Sequence, residues 1–68
     1  MYNHTRLKEA GLAKGMSKPA LVFDLDKNGL RTSYPTISNW EDGKTIPKAN
    51  ELDVLAVTLD KKIDFFFS

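Results

Sequence analysis

Cysteine is absent from these 68 residues, so neither a disulfide nor a thiolate metal site is available to staple the fold. Histidine occurs once, at His4, and nothing near it completes a metal set or a Ser-His-Asp triad, so His4 reads as a surface residue. Net charge is nearly absent as well: ten Lys and Arg against nine Asp and Glu leave +1, far from the excess of a strongly basic nucleic-acid binder. The carboxylates are scattered singly and no phosphate-cradling glycine loop occurs, which leaves catalysis without a seat and no cofactor to expect. No apolar run is long enough to span a membrane, and none follows a basic start as a secretory leader would. The sequon Asn3-His4-Thr5 is accordingly read as chance, and a reduced, cytoplasmic setting is expected.

What is present is punctuation. Glycine, proline and hydroxyl residues divide the chain into short amphipathic stretches, with no repeat and no linker, so the reading is one all-α domain over residues 1–68. Five short helices are expected, over about 5–14, 18–27, 34–42, 48–59 and 63–67. Thr5, Ser17 and Ser33 are the expected N-caps, Gly15, Asn28-Gly29 and Gly43 the stops, and Pro19, Pro35 and Pro47 the first-turn prolines. Leu7 and Ala10, then Leu21, Val22 and Leu25, then Ile37 and Trp40, then Leu52, Leu55, Ala56 and Leu59, supply the inward stripes. Gly11 lies inside the first helix at a cost of roughly 0.5–1 kcal/mol against alanine. Phe65 to Phe67 could instead form an edge strand, since short apolar runs are ambiguous in period.

The segment with functional content is the third helix. Ile37 and Trp40 point inward, which makes Trp40 a core residue rather than a base-stacking one, and Tyr34, Thr36, Ser38 and Asn39 are left outward or toward the helix start. Asp24-x-Asp26-x-Asn28-Gly29 imitates half of a calcium loop, yet the position for a bidentate glutamate is Pro35, so a polar helix end is the better reading.

Thr36-Ile37-Ser38-Asn39-Trp40-Glu41-Asp42-Gly43-Lys44, followed by Pro47 and Leu52-x-x-Leu55-Ala56-x-x-Leu59, resembles the signature of the Cro/repressor (lambda-repressor-like, XRE) helix-turn-helix regulators. Arg6-Leu7-Lys8-Glu9, Lys14-Gly15-Met16-Ser17 and Leu21 extend the likeness, and Ile63-Asp64-Phe65-Phe66 is similar to the family's closing helix. The resemblance implies a small transcriptional regulator of the temperate-phage type, acting on a lysis/lysogeny switch. Tyr34, Pro35 and Thr36, then Asn39, would face operator DNA; asparagine pairs bidentately with adenine. Ser38 would reach a phosphate or base edge, and Lys18 and Lys44, with Lys48 a lesser candidate, would hold phosphates. The alternative on the same fold is a modulator of repression, an antirepressor that docks on a partner repressor protein.

Three departures bear on this. Between Leu25 and Ile37 the chain is about five residues longer than the family's spacing, so the turn becomes a loop, Lys27 to Thr32, whose Lys27 and Arg31 are solvated or add phosphate contacts. Tyr34-Pro35 stand where long polar side chains are usual, and proline donates no hydrogen bond. Asp42 sits beside Lys44, where a neutral or basic residue suits a phosphate better. In related proteins the carboxylate at Glu41 often pairs with an arginine of the first helix, but the matching position is Gly11, so Glu41 is either exposed or paired differently, with Arg6 and Lys14 as candidate partners. Lys61 and Lys62 read as a solvated stretch. Phe65, Phe66 and Phe67 exceed what a short helix can bury, which makes this end the expected interface of a homodimer.

Overall fold

Each helix begins where a polar side chain meets an orphan backbone amide. Asn3 opens α1 (His4–Ala13) by accepting from Thr5 N at 3.2 Å, and the Thr5 hydroxyl donates to the same oxygen at 2.7 Å. The cap is therefore Asn3 and not Thr5, because the Asn3 carboxamide reaches two residues forward and Thr5 is already inside the first turn. Ser17 opens α2 (Lys18–Lys27) and Ser33 opens α3 (Tyr34–Asp42), each accepting from the amide three residues on at 3.4 Å. The fourth helix, α4 (Ala49–Thr58), starts one residue later than expected, with Glu51 reaching back to accept from Lys48 N at 2.7 Å. Pro47 is buried just outside it. Leu59 also falls outside, as the C-cap.

These four helices and a terminal 3-10 helix, η1 (Ile63–Phe67), are the elements of the computed structural model, which describes residues 1–67. There is no strand among the described residues, so Phe65 to Phe67 form no edge strand; they lie in a 3-10 helix whose first turn is closed by Phe65 N donating to Lys62 O at 3.0 Å. The exit of α4 is a left-handed turn made without glycine. Asp60 takes φ 57°, its amide donating to Val57 O at 3.2 Å and Lys61 N to Ala56 O at 2.9 Å. Aspartate tolerates that conformation better than most side chains, though at a cost that glycine avoids.

The core joins all five elements: Leu7 and Ala10 of α1, Leu21 and Leu25 of α2, Ile37 and Trp40 of α3, Leu52, Leu55 and Ala56 of α4 with Leu59 after it, and Phe66 of η1. Helix α1 packs on α3, α2 packs on both α3 and α4, and η1 bridges α1 and α4. Ile37 is wholly buried and Trp40 is 3% exposed, so the orientation of α3 is set by two large side chains. Burial of each stabilises by about 1.5–3 kcal/mol. Leu30, half-buried in the α2–α3 connector, packs against the core and ties the loop down. No helix among the described residues is long and apolar enough to cross a membrane.

Candidate macromolecule-binding face

The outer side of α3 is what the core leaves over. Tyr34 is 51% exposed, Pro35 is exposed, and Thr36, Ser38 and Asn39 are half-buried along the helix. The Ser33 and Thr36 hydroxyls lie 2.9 Å apart, fixing the first turn. Asp42, Lys44, Thr45, Ile46 and Lys48 continue the exposed surface beyond the helix. Gly43 turns the chain there with φ 76°, and its amide approaches Trp40 O at 3.4 Å. Lys44 N then donates to Asn39 O at 2.9 Å, so the backbone of Lys44 is held while its side chain stays in solvent. Tyr34, Pro35, Thr36, Asn39 and Lys44 are thus carried by one helix and the turn that ends it.

Lys18 and Ser38 are occupied differently from the expectation. The Lys18 ammonium donates to Ser38 Oγ at 3.1 Å, lies 3.4 Å from Glu41 Oε1 and sits 5.5 Å from the centre of the Tyr34 ring. Through these contacts the lysine joins the first turn of α2 to α3. The partner of Glu41 is corrected by the same contact. Arg6 pairs with Glu9 at 3.0 Å and Lys14 donates to Thr58 O at 3.1 Å, so neither serves Glu41. Glu41, its side chain 10% exposed, needs a cation, and Gly11 brings no side chain from α1. The nearest cation is therefore the one α2 provides.

Lys27, which falls at the end of α2 and not in the loop, and Arg31 of the connector are engaged too. Arg31 stands 3.6 Å from Asp26, both well exposed, and Lys27 lies 5.5 Å from the centre of the Phe23 ring. Such solvated pairs contribute little to stability and leave both cations accessible. Asn28 donates to Thr58 Oγ1 at 2.8 Å, tying the end of α2 to α4. Among the described residues no group of three or more carboxylate or histidine side chains is gathered in metal-holding geometry.

The far end of α3 is held by residues that carry no sequence signal. Tyr2 donates its hydroxyl to Trp40 O at 3.2 Å, and His4 Nδ1 is 2.9 Å from Glu41 O. His4 is therefore half-buried rather than a surface residue, because a helix C-terminus presents carbonyls without intrahelical donors. Its ring lies against Gly43, where an added Cβ would come within 2.7 Å of His4 Cδ2. Burial, and then the negative charge of Glu41, push the Tyr2 phenol from 10.0 up to about 12. Nothing in the composition or periodicity of the first four residues signals either contact.

The phenylalanines separate into three roles. Phe66 is completely buried and belongs to the core, which removes it from any dimer surface. Phe65 is half-buried, with Arg6 and Lys61 at 5.2 and 5.0 Å from its ring centre. Of the three closing phenylalanines Phe67 alone stays well exposed, at 44%, with its ring edge-on to Tyr2 at 6.5 Å. A 3-10 helix turns about 120° per residue, so consecutive rings must point to three different sides. Comparison with models of protein families, with characterised proteins and with solved structures finds no match to this chain.

Proposed function

We propose that this chain is a small helix-turn-helix regulator, not an enzyme, that binds double-stranded DNA in the bacterial cytoplasm with α3 in the major groove and α2 across the backbone. The supporting observation is the division of α3. Ile37 and Trp40 are locked into the core while Tyr34, Pro35, Thr36 and Asn39 occupy the outer side of a helix capped at both ends. The B-form major groove, about 12 Å wide, admits one α-helix. Asn39 would read adenine, Thr36 and the Tyr34-Pro35 rings would meet base edges, thymine methyls or sugars, and Lys44 with Lys48 would hold phosphates. The temperate-phage setting, with a role in lysis and lysogeny, follows the family resemblance of the motif.

A second reading draws on a different observation. Lys18 is committed to Glu41, and Tyr34, Ile46 (65%) and Phe23 (64%) are exposed apolar surface. Exposed apolar side chains of this kind suit docking on the DNA-binding domain of a partner repressor, the antirepressor role.

Enrichment of binding sites from a random duplex pool, followed by affinity measurement across salt, separates the two. For DNA binding, log K falls linearly with log salt, and Lys44→Ala lowers the slope by about one. Asn39→Ala costs about 1–3 kcal/mol on the selected site and relaxes one base position. A pool that never enriches, together with tight binding to a partner repressor, replaces DNA reading with the antirepressor reading.

A further inference from the structure

We infer that Lys18 is a positioning residue that holds α3 at its working angle, and not one of the groups that grip the ligand. The inference rests on the proposed role of α3 as the binding element. The three groups that Lys18 meets belong to Tyr34, Ser38 and Glu41, spaced four and three residues apart, so they form one stripe along α3. One ammonium thereby engages the first, second and last turns of a nine-residue helix. Its three N–H donors suit a hydroxyl and a carboxylate together, and the same positive charge lies within cation–π range of the tyrosine ring.

The contact constrains what packing leaves free. Ile37 and Trp40 fix which side of α3 faces inward, but apolar contacts tolerate small rotations about the helix axis and small slides along it. A lysine anchored on another helix, with two polar partners one turn apart, restricts both motions. The pair is also shielded, since the Lys18 side chain is 35% exposed and that of Glu41 10%. Screening by salt is weaker there than for a solvated pair. The tyrosine stands at the start of the outer face, so the same ammonium biases the ring nearest the ligand.

The test combines a salt titration on a selected duplex with a double-mutant cycle on unfolding. Lys18→Met keeps most of the alkyl stem and removes the charge, and Glu41→Gln removes the opposite charge. Expected is a loss of DNA affinity of roughly tenfold for Lys18→Met at every salt concentration, with an unchanged slope, and recovery by Lys18→Arg. The unfolding cycle is expected to show coupling of about fivefold between positions 18 and 41. A slope reduced by about 0.9 with additive unfolding effects would make Lys18 a phosphate ligand and overturn the inference while leaving DNA binding in place. If the unmodified protein binds no duplex, the proposed function fails, and the unfolding cycle alone decides: coupling sustains the latch and additivity ends it. Lys18→Gln, which keeps a hydrogen bond to Ser38 without the charge, carries the cycle if Lys18→Met does not fold.

Discussion

Gly11 is the position where a single added atom should be most informative. It is buried in the interior of α1, where glycine costs roughly 0.5–1 kcal/mol against alanine through backbone entropy. A Cβ there would meet only Met16 O, at 3.9 Å, an ordinary van der Waals separation. The space in front of it is a cleft of about 180 Å³ walled by Leu12, Met16 and Leu21, with Lys18 and Glu41 on its lining. Gly11→Ala should therefore stabilise by about 1 kcal/mol, the propensity gain plus part of one buried methyl. In a domain of this size that raises the melting temperature by roughly 4–8 °C. Gly11→Arg keeps the helix propensity and sends a guanidinium down the cleft toward Glu41, so it should stabilise at least as much as alanine. In that background Lys18→Met should cost less than in the parent, because Glu41 has acquired a second cation. Thermal unfolding followed by circular dichroism reads all four variants. A lower melting temperature for Gly11→Ala would mean that this wall has no room for a Cβ. An unchanged cost of Lys18→Met beside arginine would mean that the cleft does not lead to Glu41.

Three further outcomes follow from the same geometry. Phe66→Ala should cost about 3–5 kcal/mol in urea unfolding, and Phe67→Ala should change stability by no more than about 0.5 kcal/mol; sedimentation should show Phe67→Ala weakening any self-association that runs through this end. Because folding raises the Tyr2 phenol from 10.0 to about 12, the folded state holds that proton more tightly; the resulting stability is complete below pH 10 and is lost as pH rises through about 12. Tyr2→Phe should flatten that alkaline loss in pH-dependent unfolding. Asp60→Gly should stabilise by about 1 kcal/mol, measured by thermal melting, because φ 57° no longer opposes a Cβ.

The all-helical class and the approximate helix spans were legible because caps and stops are local chemistry. Ser17, Ser33 and Gly43 act within three or four residues of themselves, and so do the stripes that bury Leu21, Leu25, Ile37 and Trp40. The offset at α1 is also local: Asn3 and Thr5 are both good caps, and only the backbone decides which carboxamide or hydroxyl faces the free amide. The candidate face was legible in outline, since the burial of Ile37 and Trp40 fixes what lies opposite. The partners of Glu41, Tyr2 and His4 were not, because these contacts join residues 23 to 38 positions apart in the chain, beyond any periodic signal. A hint did exist at Lys18: a glutamate following Trp40 needs a cation, the family resemblance would put that cation at a position held here by Gly11, and a lysine begins the next helix. Phe66 was misassigned because a run of three identical rings hides which one a 3-10 turn directs inward.

The backbone amide of Asn3 donates to Phe66 O at 2.7 Å, so the two extremities of the described chain meet side by side. A flexible Gly-Ser bridge of a few residues would join them into a covalent ring. Reopened within the Asn28–Ser33 connector, such a ring would leave every helix whole and detach α2 from α3 in sequence alone. Whether that rearranged polypeptide still folds would tell whether the core or the order of the chain is what holds the two helices together.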